Sequence, residues 1–151
     1  MEATFRATLN AYMAELEKIF QDNTIDKLLA LTTEDFVVVI GPEAAAKATG
    51  LPPGFKADRT SWRARMEALF PAVTKVNFEI SKTALDVSAC TAAVWNRRYM
   101  TMANGKVMDF ETTTWLTFTT DGDKVKEHVE FIDFQSHDLV VKEQLANLGS
   151  A

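Results

Sequence analysis

Two residues near the C-terminal end of the chain have the types and spacing needed for proton transfer. His128 and Glu130 lie two positions apart in an apolar segment, 124–134, that reads as a β-strand. Residues two apart on a strand point to the same face. Burial raises the pKa of a glutamate, and a protonated histidine lowers it again, so such a pair can be poised near neutral pH. The pattern predicts acid/base catalysis by Glu130, with His128 as its partner.

The alternation of this strand leaves its orientation open. Val125, Val129 and Phe131 lie on the opposite face and make it the more apolar of the two. If that face packs in the core, Glu130 and His128 lie in solvent or in a dimer interface. The protein would then bind a ligand without this acid/base pair.

Neighbouring segments carry polar and aromatic residues that could orient a substrate. In the predicted strand 91–102, Arg97 and Arg98 point to opposite faces. An inward arginine could pair with Glu130 or bind a substrate oxygen. The predicted substrate contacts are Arg97, Tyr99, Trp62, Met108, Phe110, Thr112 and Phe55.

The contacts predicted on the next strand depend on its orientation. Met108, Phe110 and Thr112 share one face of the segment 107–120, and they line a pocket only if Asp109 and Glu111 face outward.

Other residue groups give weaker signals. Trp62, Phe55 and Tyr12 could form an aromatic wall at a cavity mouth or simply pack in the core. His128 and His137 fit no zinc-binding spacing, and no phosphate-binding glycine loop or nucleophile elbow occurs. We therefore expect no metal site and an enzyme without a cofactor.

The elements that must position these residues follow from hydrophobic periodicity. Apolar residues at three- and four-residue spacing predict an amphipathic helix over 5–20, and a short helix capped by Asn23 follows. The β-branched run 35–40 predicts a buried strand. The segment 41–57 is rich in glycine and proline, so it reads as either a functional loop or a disordered one.

The second half of the chain predicts a helix followed by four strands. Asp58 caps a helix that carries Trp62, and Ser136 caps a last helix. Asn104-Gly105 and Asp121-Gly122 are hairpin turn signals. The predicted strands are 75–83, 91–102, 107–120 and 124–134. Helices first and antiparallel strands later indicate an α+β fold.

Bulk properties exclude several classes of function. The 151 residues fit one domain, 1–151, and the net charge of −5 argues against a nucleic-acid binder. No segment is apolar enough to span a membrane, and the N-terminus lacks the features of a signal peptide. Cys90 is the single cysteine, which favours a reducing compartment. We expect a cytoplasmic protein with a small-molecule substrate.

Two segments carry a family resemblance. Gly54 through Phe70-Pro71, and Asp121-Gly122-Asp123-Lys124-Val125 followed by Glu130-Phe131-Ile132-Asp133, resemble conserved parts of the SnoaL-like branch of the nuclear transport factor 2-like superfamily. The resemblance implies a cone-shaped, cystatin-like α+β fold, in which N-terminal helices pack in a strongly curved antiparallel sheet around a cavity. It also implies a structural role for Asp133.

Within that branch the chain resembles small fungal terpenoid and alkaloid isomerases and cyclases, and more distantly limonene epoxide hydrolase and scytalone dehydratase. The resemblance implies that Glu130 is the pocket base and that the protein is a homodimer joined through the outer sheet face near Thr113 and Trp115. The Arg-x-Asp pair of the epoxide hydrolases is missing from 95–100.

We therefore expect a cofactor-independent isomerase, cyclase or dehydratase of secondary metabolism, acting on a small, largely apolar molecule. The alternatives are a non-catalytic ligand-binding or dimerisation module and an epoxide hydrolase-like enzyme.

Overall fold

The fold combines helices with a single curled sheet. In the computed structural model, residues 1–48 and 54–149 are described, and no helix among them is long and apolar enough to cross a membrane. The elements in chain order are α1 (Glu2–Asp22), α2 (Asp26–Ala30), β1 (Thr32–Gly41), α3 (Glu43–Ala48), β2 (Lys56–Asp58), α4 (Arg59–Leu69), β3 (Val73–Asp86), β4 (Thr91–Met102), β5 (Val107–Phe118), β6 (Val125–Ile132) and α5 (Phe134–Leu148). The α+β class predicted from the sequence is confirmed.

The six strands form one open sheet in the order β2-β1-β6-β5-β4-β3. Strands β3 to β6 are joined as an antiparallel meander, as predicted. Strand β1 pairs with β6 in parallel, which the sequence did not indicate. The two strands are far apart along the chain, so no hairpin forces them to be antiparallel.

Helix α1 supplies much of the core, and its amphipathic pattern is confirmed. One face is buried, while residues such as Arg6 and Asn10 stay exposed. The buried positions follow the three- and four-residue spacing of a core-facing helix. They are Phe5, Thr8, Leu9, Tyr12, Met13, Leu16, Ile19 and Phe20.

The orientation of β6, which the sequence left open, is settled by burial. His128 is 1% exposed and Glu130 is 8% exposed, whereas Phe131 is 45% exposed. On β5, the partners of His128 and Glu130 are Leu116 and Thr114, both fully buried. Because the side chains of a strand alternate, this register places the imidazole and the carboxylate inside and Phe131 outside.

Three helix ends test the capping predictions. Asp58 caps α4 as predicted, and its carboxylate accepts a 2.7 Å hydrogen bond from the Ser61 amide. Asn23 instead ends α1 in a left-handed conformation with φ 50°. Asp133, rather than Ser136, caps α5, because its carboxylate accepts a hydrogen bond from the Ser136 amide. The capping role fits the structural role that the family resemblance implies for Asp133.

The irregular segment 41–57 contains more regular structure than its glycines and prolines indicated. Helix α3 occupies residues 43–48, and the short edge strand β2 pairs Ala57 with Val38. The part of the predicted loop from 49 to 53 lies outside the described residues.

Candidate active site

A cavity lies between the sheet and three helices. Its volume is about 100 Å³. Most of the lining side chains are apolar and come from α1, α4, α5 and the inner face of the sheet. The ionisable and amide side chains among the described lining residues are Arg65, Arg98, His128, Glu130, His137 and Gln144.

Glu130 is the carboxylate of this cavity, and both of its oxygens are engaged. Oε1 lies 2.5 Å from Nη1 of Arg98 on β4. Oε2 lies 3.0 Å from Nε2 of His128, two residues earlier on the same strand. The ion pair is almost entirely shielded from water, with side-chain exposures of 12% for Arg98 and 11% for Glu130.

The charge state of Glu130 is set by its surroundings. Burial by itself raises the pKa of this carboxyl, but the Arg98 charge and the hydrogen bond from His128 outweigh burial and lower the pKa to about 2. Glu130 is therefore ionised at neutral pH, although the sequence left open that the pair is poised there. The cause of the lowered pKa is the guanidinium of Arg98. Alternation along the strand could not show that this side chain points inward.

His128 is held at both ring nitrogens. Since the ionised Glu130 can only accept, Nε2 of His128 carries the proton and donates to it. The hydroxyl of Tyr12, from α1, lies 2.9 Å from Nδ1. Burial, with a contribution from the Glu130 charge, raises the pKa of Tyr12 well above its usual value, so the phenol stays protonated.

The two contacts of His128 link Tyr12 to Glu130. A neutral ring accepts the Tyr12 proton at Nδ1 and donates from Nε2, which satisfies all three polar groups. With both ring nitrogens engaged, His128 orients Glu130 instead of offering a free nitrogen to a ligand.

Arg98 is positioned by a second set of contacts. Its Nη2 donates to Thr112 Oγ1 at 3.4 Å, and Thr112 donates to Asn96 Oδ1 at 3.1 Å. The guanidinium also lies over the Phe78 ring, 4.8 Å from its centroid. Its Nε is buried and has no hydrogen-bond partner in the described part of the chain, which leaves one donor available to a ligand.

The structure does not bring Arg97 and Tyr99, two of the predicted substrate contacts, to the cavity. Both lie on the outer face of β4, because the inward positions of this strand are taken by Asn96 and Arg98. Arg97 is fully engaged there with Asp109, at 2.7 Å between Nε and Oδ1.

The remaining predicted contacts divide into two groups. Trp62 and Phe110 line the cavity, and their contact with a substrate stays a prediction. Thr112 is buried but contacts Arg98 rather than the cavity, and Met108 and Phe55 are partly buried against the edge of the core. For these three the substrate-contact prediction is not supported by their position.

Three polar lining residues were not among the predicted site residues: Arg65, His137 and Gln144. His137 is 7% exposed and lines the cavity from α5. Arg65 also lines the cavity, three residues after Trp62 on α4. The helical spacing of Trp62, Arg65, Met66 and Leu69 would have placed this arginine on the inner face.

The Arg98–Glu130 pair predicts a distinctive stability profile. Arg98→Met leaves a buried carboxylate without its counter-ion, which should reduce the free energy of unfolding at pH 7 by about 3 kcal/mol. Arg97→Met, one residue away, breaks the exposed pair with Asp109 and the contact with the Tyr99 ring, and it should cost far less. Guanidinium chloride unfolding of both variants measures the difference.

The pH dependence of these variants follows from the direction of the pKa shift. In the wild type the pKa of Glu130 lies below the 4.5 of an unperturbed glutamate, so its stabilising contribution is present above pH 4.5 and is lost as the pH falls towards 2. In Arg98→Met burial prevails and raises that pKa, so the deficit relative to the wild type should shrink on acidification. A deficit independent of pH would contradict the charge assignment.

Comparisons with known proteins agree on the fold. No known family profile matches the sequence, and no curated protein matches it significantly. Among solved structures, the BvnE pinacolase of Penicillium brevicompactum superposes with a TM-score of 0.79 at 17% identity, covering 97% of each chain. PrhC of Penicillium brasilianum NBRC 6234 gives a TM-score of 0.69 at 19% identity, covering 95% of this chain and 97% of the other.

A third structure carries the name of the fold. An NTF2-like protein of unknown function from Burkholderia pseudomallei K96243 superposes with a TM-score of 0.66 at 13% identity, covering 87% of this chain and 92% of the other. Identities this low establish shape and leave chemistry open. The architecture expected from the Gly54–Pro71 and 121–133 segments is confirmed: the chain has the nuclear transport factor 2-like fold.

Proposed function

We propose that this protein is a cofactor-independent enzyme that isomerises, cyclises or dehydrates a small, largely apolar molecule of secondary metabolism. The observation that carries the proposal is the Glu130 carboxylate, which faces an apolar cavity and is oriented at both oxygens by Arg98 and His128. Glu130 is the group that exchanges protons with the substrate. His128 and Tyr12 are positioning residues.

The low pKa of Glu130 narrows the chemistry. A carboxylate with a pKa of about 2 is a weak base, and its conjugate acid is a strong one. Such a group removes protons efficiently only from strongly acidic positions, such as the oxygen of a protonated carbonyl or a carbon next to a cationic centre. Its fixed negative charge also stabilises such a cation in a site shielded from water.

The proton balance needs only one group. In its minor protonated form Glu130 gives a proton to the substrate oxygen, which either makes the substrate cationic or expels the hydroxyl as water. The resulting carboxylate then takes one proton back from a position beside the cationic centre, so Glu130 ends as it began. Isomerisation or cyclisation then yields a product of the same composition, and dehydration releases water. The unpartnered Nε of Arg98 can donate a hydrogen bond to the substrate oxygen beside the reacting centre.

The structural neighbours support an enzymatic role. BvnE is a pinacolase, and it superposes on almost the whole of both chains. A pinacol-type rearrangement is an example of the cationic chemistry that a weakly basic carboxylate can complete. The likeness supports this reaction class, and the identity of 17% leaves the reaction of this chain to experiment.

Two rival functions receive less support. Epoxide hydrolysis of the limonene epoxide hydrolase type needs an Arg-x-Asp pair, but the residue two positions after Arg98 is Met100, which is buried. If the protein were a non-catalytic binding module, Val129 and Phe131 would be expected to face inward. Val129 is instead only partly buried and Phe131 lies exposed.

Glu130→Gln tests the proposal. Wild type and variant are incubated with a panel of small cyclic enones, vicinal diols and tertiary alcohols, and products are identified by gas chromatography with mass spectrometry. We expect the wild type to convert at least one class, and Glu130→Gln to lower that rate by about 100-fold or more. Glu111→Gln, an exposed carboxylate on β5, is the matched control and should keep full activity.

Stability must be separated from catalysis in this test, because Glu130→Gln also leaves the buried Arg98 without its counter-ion. The double variant Glu130→Gln/Arg98→Met removes both charges and should unfold closer to the wild type. It should still be inactive. Wild-type turnover in either Glu130 variant would exclude Glu130 as the proton-transfer group and favour the binding-module alternative.

We also propose that two copies associate through the outer face of the sheet. Trp95, Trp115 and Phe131 are 46%, 42% and 45% exposed, and they lie on neighbouring strands of that face. Exposed aromatic side chains in such an arrangement are typical of an interaction surface. Thr113, paired with both Trp95 and Phe131, lies among them.

Sedimentation analysis tests this association. The wild type should sediment as a dimer, and Trp115→Lys should shift it to a monomer because it buries a charge in the interface. Leu145→Lys, at an exposed apolar position of α5, should leave the dimer intact. A monomeric wild type, or a dimer unaffected by Trp115→Lys, would contradict the proposed interface.

A further inference from the structure

Arg65 is a cation of the cavity that the proposed proton transfer does not use. It lies on α4 with Trp62, Met66 and Leu69, which occupy one face of the helix at three- and four-residue spacing. All four line the cavity. Arg65 is partly buried, so its side chain is less solvated than that of an ordinary surface arginine.

The other arginines of α4 show what Arg65 lacks. Arg59 lies 3.5 Å from Glu34, and Arg63 lies 2.7 Å from Asp26. Arg65 makes no ion pair or hydrogen bond with any residue in 1–48 or 54–149. Burial lowers its pKa, and no neighbouring carboxylate acts in the opposite direction.

The described residues that line the cavity carry a net positive charge. The single carboxylate among its described lining residues, Glu130, is already neutralised by Arg98. The two histidines of the lining, His128 and His137, cannot supply a negative charge. Among the described lining residues the charge of Arg65 therefore remains uncompensated.

An independent observation places a second donor next to Arg65. Trp62 is 7% exposed, and its indole Nε1 is buried with no hydrogen-bond partner among the described residues. A buried N–H group that lacks a partner is costly, so such a group at a cavity wall points to an acceptor on the ligand. Trp62 and Arg65 are about one helical turn apart on α4, so their side chains are neighbours on the helix surface.

We propose that the molecule bound in this cavity carries a carboxylate, which pairs with Arg65 and accepts a hydrogen bond from the Trp62 indole. A guanidinium matches the two oxygens of a carboxylate, and one uncompensated positive charge suits a monoanion. The inference rests on the proposed function in that the cavity is taken as the substrate site. It adds that the substrate is a small apolar acid.

The proposal also assigns different tasks to the two arginines. Arg98 is committed to Glu130 and serves the reacting end of the molecule. Arg65 binds the carboxylate at another part of the wall and fixes which end of the substrate meets Glu130. Apolar side chains such as Met66 and Phe110 line the cavity and are available to contact the hydrocarbon part.

The test compares two probes of nearly equal shape, 3-methylbutanoate and its uncharged amide. Both are titrated into the wild type while the indole N–H signals are followed by ¹H–¹⁵N NMR. The Trp62 signal is identified as the one missing from Trp62→Phe. We expect the acid to bind about tenfold more tightly than the amide and to shift the Trp62 signal downfield.

Variants on α4 localise the preference. Arg65→Gln should bring the affinity for the acid down to that for the amide, and Arg65→Lys, which keeps the charge, should retain most of the preference. Arg63→Gln, on the same helix but paired with Asp26, is the matched control and should keep it in full.

Three outcomes would overturn the proposal: equal affinities for acid and amide in the wild type, an undiminished preference in Arg65→Gln, or no binding of either probe. All are read from binding and not from turnover. If Glu130→Gln abolishes activity while the acid shows no preference, the carboxylate site fails and the proposed function stands. The opposite pattern would leave an acid-binding cavity without the proposed catalysis.

Discussion

The ion pair between Arg98 and Glu130 is the interaction on which the site depends. Two opposite charges are placed in an apolar cavity, where either one alone would carry a large desolvation cost. The surrounding polar contacts serve this pair. Thr112 and the Phe78 ring hold the guanidinium, and His128 holds the second carboxylate oxygen. The hydroxyl of Tyr12 on α1 contacts the histidine in turn. Two hydrogen bonds therefore link the first helix to the carboxylate.

The same pair sets what the cavity can do. Arg98 lowers the pKa of Glu130, so the carboxylate is an anion at neutral pH. The same shift makes Glu130 a weaker base. A site of this kind is suited to substrates that become cationic, and less suited to removing a proton from an unactivated carbon. Arg65 has no such partner in the described part of the chain. Arg98 is thus paired with Glu130, and Arg65 is left to pair with a ligand.

The sequence predicts the fold well because its periodicities report burial directly. The face of α1, the four-strand meander and the Asp58 cap all follow from local patterns. The parallel pairing of β1 with β6 does not, because it joins segments from opposite ends of the chain. The site is predicted only in part for the same kind of reason. Alternation shows that Arg97 and Arg98 point to opposite faces, but the inward one is decided by the register with β5, where Arg98 pairs with the buried Phe110.

The central claim is that Arg98 and His128 keep Glu130 ionised inside the cavity. The direct test is a ¹³C NMR titration of the glutamate side-chain carboxyl carbons, with the Glu130 signal identified by its absence from Glu130→Gln. The structure predicts that this carbon stays in its ionised form from about pH 8 down to about pH 4 and titrates near the pKa of about 2. A Glu130 carboxyl that titrates between about pH 5 and pH 8 would contradict the account, because the counter-ion would then not control the charge of the cavity.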